Sequence, residues 1–407
     1  MRRVVVTGRG IVSSLGHSIG DAFNRLSKTE NCVKVSEDLK SFKGLQTCLW
    51  APCGFVNPPE YTRKVIRTMS PVSTMALNAT EQALKEAGLY GDEIVKSGRL
   101  GIAYGSCSGG VDACADFVTV IQNREVRNVT SSTYIKMMPQ TTAVNLSVHF
   151  GTTGRLLPTG TACTSGSLAI GEAYEAIAYG KQDVMIAGGA EEFSVTQVAV
   201  FDTLFATSRH NDAPQTSPCA YDRDRDGLVV GDGAATLILE ERDHAIARGA
   251  PIFAEVVGFG LNTDGKHVTQ PNAGTMAIAM KLALESAGLK PADIGYVNAH
   301  GTATQLGDVA ECAAMTEVFG EGGVPMSTIK NYTGHTLGAC GAIEALMAIS
   351  MMNADWYAPN LNLKNPDPAC GDQDFIVGEG RKFSSRCIMS NNFAFGGVNT
   401  SLVFARV

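Results

Sequence analysis

Among the eleven cysteines of this chain, Cys163 stands in a setting of its own. It lies in Thr159-Gly160-Thr161-Ala162-Cys163-Thr164-Ser165-Gly166, between an extended segment and a helical one rich in small residues. A sulfur at a helix N-terminus meets the positive end of the helix dipole. That field favours thiolate and can lower a thiol pKa from about 8.5 to roughly 3.5–7.5. Free backbone N–H groups at such a turn also suit an oxyanion, at about 2.7–4 kcal/mol per donor in acyl-transfer enzymes. Cys32, Cys48, Cys53, Cys107, Cys114, Cys219, Cys312, Cys340, Cys370 and Cys387 lack this framing and read as small buried hydrophobes.

Two of the seven histidines are framed in a comparable way. His300 sits in Asn298-Ala299-His300-Gly301-Thr302-Ala303-Thr304, at a strand end followed by a small-residue loop. His335 lies between glycines in Thr333-Gly334-His335-Thr336-Leu337-Gly338-Ala339, just before the helical stretch Ile343 to Met352. Strand ends and helix starts are where open α/β sheets bind ligands, and glycine neighbours let a substrate approach the backbone. His17, His149, His210, His244 and His267 read as surface or hydrogen-bonded core residues. One thiol and two imidazoles are also a conceivable zinc set. Structural zinc sites gather ligands in short pairs, however, and the chain has no C-x-x-C, so no metal is expected. A nucleophilic cysteine served by two histidines from elsewhere in the chain is the better reading.

The elements that must hold these groups alternate between strand and helix. Val4 to Val6 with Gly8 and Gly10 reads as strand and turn, Ser70 to Gly88 as an amphipathic helix, and Leu100 to Ala103 as a buried strand. Ala169 to Tyr179 is helical, closed by Gly180, and Val184 to Ala187 is a strand ending in Gly188-Gly189. The pattern then restarts, with Phe253 to Gly258 β-like and Met276 to Ala287 helical. Ala83-Leu84-x-x-Ala87-Gly88-Leu89 recurs as Ala283-Leu284-x-x-Ala287-Gly288-Leu289, and Ile94 recurs in register as Ile294. A duplicated α/β unit is therefore expected, with residues 1–250 carrying the cysteine and 251–407 carrying both histidine loops. Its site would lie in the cleft between the halves.

Composition narrows the function classes. At 407 residues, 44% apolar and only 18% charged, the chain suits a large packed globule and excludes disorder, coiled coil and collagen. A net charge of −7 gives no general pull toward nucleic acid or membrane. The most apolar stretch, Ala345 to Met352, is far short of a membrane span, and Arg2-Arg3 precede no hydrophobic signal region. A reducing, cytoplasmic location is expected.

Taken together, Thr161-Ala162-Cys163, His300-Gly301-Thr302-x-Thr304 and Lys330-x-x-x-Gly334-His335-Thr336-x-Gly338 resemble, in order, the motifs of elongating β-ketoacyl-acyl-carrier-protein synthases, condensing enzymes of the thiolase superfamily. Tyr221-Asp222-x-x-Arg225-Asp226-Gly227, Gly307-Asp308 and Ser390-Asn391-Asn392-Phe393-Ala394-Phe395-Gly396-Gly397 extend the likeness, which runs from Val4 to Phe404. Arg3-Val4-Val5-Val6-Thr7-Gly8 and Arg63-Lys64-Val65-Ile66-Arg67 look closer to synthase I than to synthase II.

The resemblance implies an α/β, thiolase-like fold of two α-β-α-β-α halves in five layers, usually as a homodimer, with a heterodimer alongside a chain-length factor as the alternative. It implies a thioester on Cys163 followed by decarboxylative condensation with malonyl-carrier protein, in fatty-acid or aryl-polyene or polyketide-type synthesis. Substrates would arrive on the phosphopantetheine arm of acyl carrier protein, with no further cofactor. The oxyanion hole would be the N–H groups of Cys163 and Phe395, and His300 and His335 would hold the enolate. Lys330 and Glu344 match positions flanking the site, and Thr302 and Thr304 match a pair that binds pantetheine. Phe393 and Phe395 match the gating loop, and Ser108 falls where some relatives have a bulkier pocket residue, implying room for a longer or stiffer acyl chain. Arg63, Lys64, Arg67, Arg124 and Arg127 correspond to carrier-protein docking, or else form a solvated face. Ala394 and Val398 depart from the usual Gly and Thr and imply a stiffer gate. Chain-length factors lack the nucleophile, thiolases usually pair one histidine with a second cysteine, and initiating synthases carry Asn for one histidine. All three match less well.

Overall fold

The computed structural model describes Met1–Val407. Ten strands form one continuous mixed sheet: β1 (Val4–Ser13), β2 (Leu100–Gly105), β3 (Leu156–Thr159), β4 (Val184–Glu191), β5 (Gly233–Glu241), β6 (Ala254–Thr263), β7 (Ile294–Asn298), β8 (Met326–Ser327), β9 (Cys387–Ala394) and β10 (Val398–Ala405). Their order, β3-β2-β4-β5-β1 joined to β6-β10-β9-β7-β8, is the same five-strand pattern written twice about a pseudo-twofold axis. The axis runs through a short antiparallel seam where Val4, Val5 and Val6 face Val256, Glu255 and Ala254.

Six helices complete five layers: α1 (Pro71–Glu86) and α2 (Thr141–Phe150) outside the first half-sheet, α4 (Ala273–Ala287) and α5 (Gln305–Phe319) outside the second, and α3 (Ser165–Ala178) with α6 (Cys340–Asn353) between the two. The expected thiolase-like duplication is therefore the observed architecture. The repeat seen in sequence has a packing cause. A Cβ at Gly8 would stand 2.1 Å from the Ala83 carbonyl oxygen, and one at Gly258 would stand 2.3 Å from that of Ala283. Bare strand against an alanine-faced helix lets the two backbones touch, in both halves alike. Both helices also end alike, with Leu89 N–H on the Leu84 carbonyl at 2.8 Å and Leu289 N–H on that of Leu284 at 3.0 Å.

Helix α6 is buried along nearly its whole length, which accounts for the apolar run Ala345 to Met352. Helix α3 starts at Ser165 rather than near Ala169, because burial on several sides erases the amphipathic signal at its first turn. The two inner helices meet at their starts. Side chains are excluded there, since a Cβ on Gly166 would lie 2.9 Å from the Gly338 oxygen and one on Gly341 2.7 Å from the Ser167 nitrogen.

Candidate active site

Each inner helix is preceded by a one-turn 3-10 segment, Ala162–Thr164 before α3 and Leu337–Ala339 before α6. Each segment opens on a non-glycine residue in the left-handed region, Ala162 at φ 50° and Leu337 at φ 47°. Such strain costs about 1–3 kcal/mol and persists only where packing over-determines it. In the first half it presents Cys163; in the second it begins two residues after His335. His300 comes from the loop after β7.

The Cys163 sulfur and one ring nitrogen each from His300 and His335 lie within 4.8 Å of one another, all three residues buried. The imidazole rings are 5.4 Å apart, edge to face. Hydrogen bonds fix both tautomers. Leu337 N–H donates to His335 Nδ1 at 3.0 Å, and the Lys330 ammonium donates to His300 Nδ1 at 3.1 Å. Each Nδ1 is thus a lone pair, and each neutral ring carries its proton on Nε2 as a donor. Burial holds both histidines well below the ordinary imidazole pKa, and the Lys330 ammonium adds to it. The same tautomers oppose zinc, which would need the Nε2 lone pairs.

Lys330 is itself locked to the Glu344 carboxylate, whose other oxygen accepts from Asn392 Nδ2 at 2.7 Å. Glu311 fastens the His300 loop, accepting the His300 and Gly301 N–H groups at 2.7 and 2.8 Å. At Cys163 the backbone N–H groups of Phe395 and of Cys163 itself face the sulfur, the pair expected for an oxyanion. The Cys340 thiol donates to the Cys163 carbonyl at 3.1 Å and steadies the turn.

The sulfur departs from expectation in one respect. Burial pushes the Cys163 thiol up to about 11, against the Lys330 ammonium and the two N–H groups, rather than down into the thiolate range. Desolvation outweighs the helix end here because Cys163 is buried.

A cavity of about 390 Å³ joins Cys163, His300, His335, Thr302, Thr304, Phe393 and Phe395. The Thr302 and Thr304 hydroxyls bond each other at 2.8 Å on its wall. Phe201 and Phe205, not singled out in the sequence, also line it, and Phe201 packs on Phe395 with ring centres 5.4 Å apart. Ser108 lies outside this lining; its hydroxyl accepts the Gln197 side-chain amide at 3.2 Å. Arg63, Lys64, Arg67, Arg124 and Arg127 are exposed and none lines the cavity. Asn392 and Glu311 were missed as site residues, although two asparagines inside an otherwise apolar strand pattern are a signal that buried polar work is being done.

Fold and site together define the condensing-enzyme class, with one buried thiol gathered beside two neutral imidazoles at the cavity. Residues 1–245 match the beta-ketoacyl synthase N-terminal domain and residues 253–364 the C-terminal domain, so the chain belongs to the β-ketoacyl synthase family. It is 38% identical to 3-oxoacyl-[acyl-carrier-protein] synthase 2 of Vibrio cholerae, covering 100% of this chain and 99% of that one. It is 34% identical to 3-oxoacyl-[acyl-carrier-protein] synthase 1 of Escherichia coli, covering 100% of both. A crystal structure of a β-ketoacyl synthase from Burkholderia phymatum superposes with a TM-score of 0.98 at 54% identity, over 100% of both chains. Relatives named synthase 1 and synthase 2 stand at similar identity, so the likeness does not single out the synthase I branch.

Proposed function

We propose that the protein elongates an acyl chain by decarboxylative Claisen condensation, forming a 3-oxoacyl thioester two carbons longer on acyl carrier protein. The Cys163 sulfur attacks an acyl-carrier thioester, and the oxyanion rests between the Cys163 and Phe395 N–H groups. Collapse expels the carrier's pantetheine sulfur, which leaves with the proton that Cys163 gives up. A thiol near 11 therefore serves, because one thiol proton replaces another and no lasting thiolate is needed.

Malonyl-carrier protein then enters. Its C–CO₂⁻ bond breaks, CO₂ leaves, and the electron pair moves into an enolate whose oxygen is held by the His300 and His335 Nε2–H groups. The carbanion attacks the Cys163 thioester and the sulfur departs, recovering a proton from solvent. The observation that carries this reading is the fixed Nε2–H tautomer of both rings beside one sulfur. It also disfavours the chain-length-factor alternative, which has no use for a nucleophile so served.

Substrates are carried on phosphopantetheine, with Thr302 and Thr304 on the wall its arm would pass, and the scheme calls on no further cofactor. The exposed Arg63, Lys64, Arg67, Arg124 and Arg127 are the proposed carrier-docking groups, since an acidic carrier needs basic partners. Fatty-acid synthesis is the proposed setting, since the relatives are named for making a 3-oxoacyl chain on acyl carrier protein. A homodimer is the proposed assembly: β3 is a sheet-edge strand with Leu156 exposed, and an uncovered edge calls for a partner.

Purified protein given a panel of acyl-carrier proteins and malonyl-carrier protein is expected to release products of the corresponding 3-oxoacyl mass. Cys163→Ala abolishes that product, while His300→Ala and His335→Ala slow CO₂ release more than acylation of Cys163. Full condensation by Cys163→Ala, or an unchanged CO₂ rate in both histidine variants, overturns the assignment.

A further inference from the structure

Glu191, the last residue of β4, is completely buried, and its carboxylate meets N–H donors rather than a cationic side chain. Oε2 accepts the Cys107 N–H at 2.7 Å and the Gly338 N–H at 3.1 Å. Oε1 accepts the Ser108 N–H at 3.2 Å and the Gln197 side-chain amide at 3.3 Å. A carboxyl group of the first half, which burial pushes up to about 7, thus also holds the turn of the second half through Gly338. Burying a carboxylate this way is costly unless each lone pair is used, and here four donors use them.

The pseudo-twofold axis gives that contact a meaning. Gly338 is the middle residue of the 3-10 segment Leu337–Ala339, the place Cys163 holds in Ala162–Thr164. In the first half the N–H at this place faces the reacting sulfur; in the second the equivalent N–H is already occupied by the Glu191 carboxylate. One residue earlier, the Leu337 N–H fixes the His335 tautomer. The His300 loop has a matching clamp in Glu311, which takes two consecutive N–H groups of that loop. Each histidine loop is therefore pinned through its backbone by a buried carboxylate.

We propose that Glu191 is a positioning residue for the condensation half of the reaction: by holding Gly338 it keeps the Leu337 N–H on His335 Nδ1 and the His335 Nε2–H aimed at the enolate. The inference rests on the condensing reaction proposed above. Replacing the carboxylate by an amide leaves an NH₂ group facing two N–H donors whichever way it is turned, so the turn must give way.

The test separates the two half-reactions in Glu191→Gln: acylation of Cys163 read by intact mass, and CO₂ release from malonyl-carrier protein. CO₂ release is expected to fall between about tenfold and a hundredfold, the scale of a misplaced catalytic group, while acylation stays near the unmodified rate. Equal losses in both half-reactions, or no loss of CO₂ release, overturn the proposal. Should Glu191→Gln fail to fold, Glu191→Asp keeps the charge and retracts it from Gly338, and the same split decides. Unmodified protein run in parallel reports on the condensing reaction itself, so its silence would count against that reading and not against the role of Glu191.

Discussion

Lys330 sets much of the electrostatics of the site. Its ammonium lowers the Cys163 thiol against the rise that burial causes, and it helps keep both imidazoles neutral. With the thiol near 11, thiolate grows about tenfold per pH unit below that value. Alkylation of Cys163 by iodoacetamide, followed by mass, is therefore expected to accelerate steadily from pH 7 to about pH 10, and a plateau below pH 8 would contradict it. Lys330→Met is expected to slow alkylation across the range and to strand the Glu344 charge, lowering stability by about 3–5 kcal/mol. Sequence context made Cys163, His300 and His335 legible because each sits among small residues at an element boundary. The direction of the thiol shift was not legible, because desolvation depends on which distant residues close over the sulfur. Glu191 was equally hidden: an acidic residue after Gly188-Gly189-Ala190 looks like any strand end until Gly338 is folded against it.

At the scale of elements, the repeat was readable where helices meet strands and unreadable where helices meet each other. Gly8 and Gly258, with Ala83 and Ala283 opposite, are a matched pair of backbone contacts. Gly8→Ala and Gly258→Ala are each expected to destabilise by at least the ~1–3 kcal/mol typical of overpacking, seen as a lower Tm. The obstructing atoms are helix carbonyl oxygens, which cannot rotate away. A neutral result at either position would break the proposed equivalence of the halves. By contrast, the first turn of α3 and the whole of α6 carry no amphipathic stripe, since the inner layer is covered by sheet on both faces. Helical periodicity reports a contrast between wet and dry faces, and these helices have little wet face to report.

For the whole molecule, sequence gave the class and the cleft, while the outer surface kept its purpose to itself. No helix is long and apolar enough to cross a membrane. Strand β3 lies at the end of the sheet, with Leu156 38% exposed, while Ile121 in the helix Val111–Asn123 is 77% exposed. If that edge pairs with a second copy, light scattering of the pure protein returns twice the chain mass, and Leu156→Lys shifts it toward the single-chain value. A single-chain mass for the unmodified protein would remove the homodimer from the proposal.

The meeting of α3 and α6 at Gly166 and Gly341 also limits how such a protein can be recombined. A chimaera that took its second half from a distant relative would inherit both histidines yet bring a foreign helix start against a backbone that tolerates no methyl group. Shuffling between lineages should therefore succeed only where both parents keep bare backbone at that crossing, whatever the similarity of their catalytic motifs.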